Sequence, residues 1–310
     1  GQRDLFLDES DLLDYEIKAN IGVTVADDQI PPKRARVMPL GIDTSKVNAS
    51  WVVSVEWLNE HLDDDNLVIL DARSESDYEH GHIPGALSLD PHATEGLRTD
   101  PYADNALTIE EDETLAETLG EYGIAVDDHI VVYAKRGMDA GFLLGLLDYA
   151  GAENISILDG GIIAWELADL ELSDEEPDWE EKTFEIASRK NLLVDTDYVK
   201  ENLDNSAVKI VDVRVMQQST GLTGHGLADR PGSIPGSVKF PLPGLYMDDS
   251  YLKSAEELLW VLRERNIRPN QTIVVSCNTG SWAAAAMFML RYLGYPDVKL
   301  HDESWINWED

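Results

Sequence analysis

The stretch Ile130-Val131-Val132-Tyr133-Ala134-Lys135-Arg136-Gly137 is answered 143 residues later by Ile273-Val274-Val275-Ser276-Cys277-Asn278-Thr279-Gly280. Each is a run of β-branched residues that ends in a short loop closed by glycine. Short apolar runs of this kind read as strands buried on both faces, as in a parallel sheet. The same offset pairs Leu115 with Leu258, Ile124 with Ile267, Gly151 with Gly294, Asp159 with Asp302 and Trp165 with Trp308. The chain is therefore an internal duplication.

Upstream, Leu67-Val68-Ile69-Leu70-Asp71-Ala72-Arg73 lies over Val208-Lys209-Ile210-Val211-Asp212-Val213-Arg214, and His82-Ile83-Pro84-Gly85-Ala86 over Ser233-Ile234-Pro235-Gly236-Ser237. Between these motifs the second copy holds about ten extra residues within 217–231, rich in Gly, Thr and Ser, which predict a surface loop. Strands are expected at Leu67 to Asp71, Ile130 to Tyr133 and Ile155 to Leu158, and again at Val208 to Asp212, Ile273 to Ser276 and Val298 to Leu300. Helical spacing lies between them, at Val55 to Leu62, Leu115 to Tyr122, Tyr198 to Leu203, Ala255 to Arg265 and Ala283 to Tyr292. Alternating strands and helices give an α/β class, with a mostly parallel central sheet in each copy flanked by helices on both faces.

The expected organisation is an extension over 1–48 that matches neither copy, a first domain over 49–172, an exposed acidic linker over 173–189 and a second domain over 190–310. Pro31 to Arg36 reads as extended backbone. The chain opens at Gly1 rather than Met. A tether beyond a cleaved signal would suit the unmatched extension, which points to an exported, periplasmic-type location.

Lys and Arg total 24 against 60 Asp and Glu, a formal charge of −36, which repels phosphate backbones and argues against a nucleic-acid partner. Such acidity keeps a protein soluble and can mark a salty environment. No apolar run approaches the roughly twenty residues of a membrane span. The single cysteine, Cys277, excludes an intramolecular disulfide.

Cys277 stands where a strand ends and a helix begins. Ligands of open parallel sheets bind beyond the carboxyl ends of the strands. The backbone amides of Asn278-Thr279-Gly280-Ser281-Trp282 can face the sulfur, and the following helix adds positive potential at its N-terminus. Both favour the nucleophilic thiolate over the thiol. An inert buried cysteine is the alternative, and commoner, use of that residue type.

The order of motifs resembles the tandem rhodanese family, which includes thiosulfate and 3-mercaptopyruvate sulfurtransferases. The resemblance covers roughly 50–310. It rests on Asp71-Ala72-Arg73, Tyr78, Gly81-His82-Ile83-Pro84-Gly85-Ala86 and Leu158-Asp159-Gly160-Gly161 with Trp165, and on their counterparts Asp212-Val213-Arg214, Ile234-Pro235-Gly236 and Asp302 with Trp308. It implies a sulfane sulfur moved from a small donor to a thiol or cyanide through a persulfide on Cys277, without metal or organic cofactor. It also implies a first domain without a nucleophile, because Ala134 occupies the cysteine position. Arg214 resembles an arginine that holds the carboxylate of mercaptopyruvate, with a structural salt bridge as the other reading. Arg230 and His225, on the inserted loop, are further candidates for the cleft. Ser281 is a candidate donor toward a substrate carbonyl, and Trp282 is a candidate wall of the pocket.

Three features limit the resemblance. The loop 278–282 carries no cation, so a dianionic donor must draw on charges from elsewhere. Glu303 and Ser304 replace the glycine pair Gly160-Gly161, so a different turn is expected there. Lys135 and Arg136 read as solvated charges. Two rival functions compete with this reading. A cysteine-loop phosphatase needs an arginine six residues after the cysteine, and that position is Ala283. A non-catalytic sulfur-carrier or interaction scaffold is the stronger rival. Oligomeric state is not encoded in any of these motifs.

Overall fold

The computed structural model describes residues 42–103, 105–228, 230–247 and 250–308. Most of the extension over 1–48, including Pro31 to Arg36, lies outside them.

The first sheet is built from β1 (Val52–Val53), β2 (Leu67–Asp71), β3 (Ala86–Ser88), β4 (His129–Tyr133) and β5 (Ile155–Leu158), in the order β1-β5-β4-β2-β3. The second uses β6 (Leu193–Val194), β7 (Val208–Asp212), β8 (Val238–Lys239), β11 (Thr272–Ser276) and β12 (Val298–His301), in the equivalent order β6-β12-β11-β7-β8. All neighbours in both sheets run parallel. A small antiparallel hairpin, β9 (Tyr246–Met247) and β10 (Tyr251–Leu252), projects from the second copy.

Every strand expected from the sequence is present, within a residue at each end. The edge strands β1, β3, β6 and β8, of two or three residues each, are additions. They are too short to carry an apolar pattern of their own.

The helices are α1 (Val55–His61), α2 (Glu75–Glu79), α3 (Asp112–Glu121), α4 (Gly137–Ala150), α5 (Gly161–Leu167), α6 (Thr196–Glu201), α7 (Met216–Ser219), α8 (Ala255–Glu264) and α9 (Ser281–Tyr292). Local chemistry starts several of them. Side chains of Ser54, Ser74 and Asp195 accept the N–H groups of Trp57, Asp77 and Tyr198, and Ser254 with Glu257 forms a reciprocal capping box. None of the described helices is long and apolar enough to cross a membrane.

Helices α4 and α9 occupy equivalent places in the two copies and pack against each other. They meet through small residues: a Cβ on Gly145 would lie 2.5 Å from the carbonyl oxygen of Ala284, and one on Gly141 would lie 3.1 Å from the Cβ of Ala285. One apolar cluster runs continuously from the first sheet through these helices to the second. Beside it, Arg291 pairs with the buried Asp148, Nε to Oδ2 at 2.5 Å.

Two further clasps obey the duplication. Asp159 accepts the N–H of Leu252 at 2.9 Å, and Asp302 accepts the N–H of Ile109 at 2.9 Å. Each copy thus caps a backbone donor of the other, at positions related by the same offset.

The segment 173–189 is largely exposed, yet it is not slack. Ser173 and His82 exchange backbone hydrogen bonds, Lys182 N–H donates to the Gly120 carbonyl, and Phe184 is buried. These contacts lay it along the first copy.

Candidate active site

Strand β11 delivers its last residue, Ser276, to the carboxyl edge of the sheet, and α9 starts at Ser281. The chain between them turns sharply at Gly280, with φ of +87°. A Cβ there would lie 3.0 Å from the carbonyl oxygen of Asp302, so glycine is required twice over.

Backbone contacts to the 301–306 turn hold the loop in place. Cys277 N–H donates to Ser304 Oγ at 3.2 Å, Trp305 N–H to the Cys277 carbonyl at 3.1 Å, and Ile306 N–H to the Asn278 carbonyl at 3.0 Å. Asn278 is fixed from both sides: it donates to Gln218 at 3.0 Å and accepts from Arg214 at 3.2 Å.

Cys277 is only 4% exposed, but it is not sealed in apolar packing. It opens on a cavity of about 560 Å³ together with Asn278, Thr279, Ser281 and Trp282. The opposite wall comes from the first copy, through His92, Arg98 and Leu107. The inserted loop contributes His225 and Leu227, so this predicted surface loop also edges the cavity.

Arg98 is the main functional candidate that sequence reasoning missed. Its guanidinium donates to Ser281 Oγ at 3.1 Å and to the carbonyls of Thr279 and Leu107, and it lies 5.2 Å from the centre of the Phe142 ring. Burial lowers its pKa, opposed by the charges of Asp302 and Cys277. The Asp302 carboxyl is itself pushed up to about 6, chiefly by burial. Arg98 lies in a stretch without a counterpart in the second copy, so the repeat alignment is silent there. The one usable signal was the cation-free loop, which required a positive charge from another element.

Arg214 sits elsewhere. It is buried against Asp212, with Nε–Oδ1 at 2.9 Å and Nη2–Oδ2 at 2.7 Å, donates to the Gly232 carbonyl at 2.8 Å, and stacks 5.0 Å from the Trp305 ring centre. Arg73 repeats the arrangement in the first copy with Asp71 and the Gly81 carbonyl. These contacts are those of the structural salt bridge, and Arg214 is not among the residues that line the cavity. Arg230 is exposed over the same tryptophan, 5.8 Å from the ring centre, and neither arginine lines the cavity. His225 does reach it. Burial and the charge of Arg214 lower its pKa, which favours the neutral ring.

The turn at 303–304 follows the first copy more closely than expected. Ser304 has φ of +49°, near the +54° of Gly161, whereas Glu303 does not take up the positive φ of Gly160. Only the first of the two glycine positions differs in backbone.

The first copy's equivalent site is filled. Ala134 stands in the cysteine position, and the Tyr246 ring covers Gly137, where a Cβ would meet it at 2.2 Å. Ser250 donates to the Lys135 carbonyl at 3.0 Å, closing that loop.

A family model for the rhodanese-like domain matches the chain twice, at 54–168 and 195–310. The chain belongs to the tandem rhodanese family. This tandem rhodanese is 31% identical over 277 residues to a 3-mercaptopyruvate sulfurtransferase of Escherichia coli K12, covering 84% of this chain and 96% of that protein. It is 30% identical over 271 residues to the sulfur carrier protein TtuD of Thermus thermophilus, covering 83% and 93%. An anaerobic ergothioneine biosynthesis enzyme from Chlorobium limicola shares the fold, with a TM-score of 0.75 at 24% identity over 86% of this chain and 70% of that one. The protein is a sulfurtransferase-like enzyme.

Proposed function

We propose that this rhodanese moves a sulfane sulfur from thiosulfate or 3-mercaptopyruvate to a thiol or cyanide through a persulfide on Cys277. The reading rests on one observation: the chain's single cysteine opens, at a strand-to-helix turn, on a cavity that the other copy closes with a guanidinium.

In the first half-reaction the Cys277 thiolate attacks the donor sulfur. With thiosulfate the S–S bond breaks and sulfite leaves with the electron pair. With 3-mercaptopyruvate the C–S bond breaks, and the pair goes to the enolate of pyruvate, which takes a proton. In the second, the acceptor attacks the outer sulfur and the Cys277 thiolate leaves. The amides at the start of α9 support the anion at both stages.

Among the described residues lining the cavity, Arg98 is the sole Arg or Lys. One guanidinium balances a monoanionic carboxylate better than a dianion, which favours 3-mercaptopyruvate as donor. Arg98 also braces the Thr279 carbonyl and the Ser281 hydroxyl, coupling donor binding to loop shape.

Steady-state rates with each donor test the proposal. Sulfite or pyruvate release that needs an acceptor and vanishes in Cys277→Ser supports it. Sulfur taken up by Cys277 without turnover to small acceptors would instead favour a sulfur carrier, and no uptake at all would favour a scaffold.

A further inference from the structure

The stretch added to the second copy, within 217–231, is absent from the copy that lacks the cysteine. It is anchored at both ends. The N–H groups of Leu222 and Thr223 donate to the Gln217 carbonyl at 2.8 and 3.0 Å, and Trp305 Nε1 donates to the Arg230 carbonyl at 3.1 Å. Held in this way, the loop brings His225 to the wall of the Cys277 cavity, which Arg98 of the first copy also lines.

The loop sets the tautomer of this histidine. The Leu227 N–H donates to His225 Nδ1 at 3.3 Å, so that nitrogen presents its lone pair and the hydrogen of the neutral ring sits on Nε2. Burial, and then the charge of Arg214, lower its pKa and keep the ring neutral. His225 is therefore a fixed, uncharged N–H donor at the cavity wall. Polar side chains of the cysteine loop are already engaged. Asn278 donates to Gln218 at 3.0 Å, while Ser281 Oγ accepts from Arg98 at 3.1 Å and shares a hydrogen bond with Thr279 Oγ1 at 3.3 Å.

Such a donor meets a need of one sulfur source only. When the C–S bond of 3-mercaptopyruvate breaks, the electron pair moves through C3 and C2 onto the carbonyl oxygen. Thiosulfate has no carbonyl, and sulfite spreads the departing charge over its own oxygens. A donor fixed where charge develops stabilises the transition state more than the ground state. A neutral imidazole suits an enolate oxygen, because it is too weak an acid to give up its proton.

We propose that His225 is a catalytic residue specific to 3-mercaptopyruvate, whose Nε2–H donates to the C2 carbonyl oxygen and holds the enolate that forms there. The proposal rests on the persulfide reading above. The S–S bond to Cys277 forms as the donor C–S bond breaks, and the donor's thiol hydrogen stays on the outer sulfur. Water supplies the proton that turns the enolate into pyruvate, and the imidazole keeps its own.

Single-turnover loading of Cys277, followed by intact mass and by release of pyruvate or sulfite, tests this in His225→Phe and His225→Gln. Phenylalanine keeps the bulk of the ring without the donor, and glutamine places an amide N–H near the position of Nε2. At saturating donor, His225→Phe is expected to load from 3-mercaptopyruvate about 100-fold more slowly, and from thiosulfate at the wild-type rate. His225→Gln should regain about tenfold of the lost rate. Loading of His225→Phe from 3-mercaptopyruvate at the wild-type rate would overturn the proposal. Equal losses with the two donors, or in the two variants, would mark a structural effect and overturn it as well. A wild type that gains sulfur from neither donor removes the persulfide reading, and this proposal with it.

Discussion

The loops 134–137 and 277–280 leave equivalent strands, and glycine closes each of them at the head of an interface helix. Their frames are held alike, by Asp71 with Arg73 in one copy and Asp212 with Arg214 in the other. What differs is the contents. One loop carries alanine and is closed at Gly137 by a tyrosine ring, and the other carries a cysteine facing a cavity braced by Arg98. Duplication supplied the frame twice, and a few side chains decided where chemistry can occur.

Four sets of substitutions separate the two copies. The largest effect belongs to the nucleophile: Cys277→Ser should cut turnover by at least about 10³-fold with melting temperature unchanged. Moving the thiol, in Cys277→Ser combined with Ala134→Cys, should restore nothing, because Tyr246 covers the first loop. Recovered turnover would show the two frames to be interchangeable.

Second come the paired arginines. Arg73→Met removes the cation from buried Asp71, and Arg214→Met leaves buried Asp212 only Lys239 at 3.6 Å; each should cost about 3 kcal/mol in urea denaturation. A raised KM in Arg214→Met, without loss of stability, would return that arginine to substrate binding.

Arg98 is third. Arg98→Met should lower kcat/KM for either donor about 100-fold, or roughly 2.7 kcal/mol, and Arg98→Lys should recover only part of it. The smallest effect concerns the reciprocal clasps. Asp302 titrates near 6 in the folded chain against an ordinary 3.8. Its contribution to stability is therefore full below pH 3.8 and lost as pH rises through about 6. Asp302→Asn keeps an acceptor for Ile109 but cannot ionise. Its melting temperature should match wild type near pH 4 and exceed it increasingly toward pH 7. The Asp159 carboxyl is also raised by burial, so Asp159→Asn should show the same sign.

The fold was legible because its signals are redundant. Six buried strands announced themselves as short apolar runs, and offsets of 141 residues for the first pair and 143 for the other two matched them between the copies. The helix α4 went unread because Gly137, Gly141 and Gly145 lower helical propensity. Their value lies in the close approach to α9, which is a tertiary fact. Cys277 was legible from its place between strand and helix. Arg98 was not, since nothing local marks a side chain that acts on another domain. Arg214 stays ambiguous in the sequence for the opposite reason: an arginine after a strand end looks the same whether it holds a substrate or its own neighbouring aspartate.

Only the second loop is expected to take up sulfur. Intact-protein mass spectrometry after brief exposure to 3-mercaptopyruvate or thiosulfate, with peptide mapping, tests it most directly. One added sulfur is expected on Cys277, removed by cyanide or a small thiol and absent from Cys277→Ser. An unchanged mass with both donors, in a chain whose Cys277 still reacts with iodoacetamide, would contradict it.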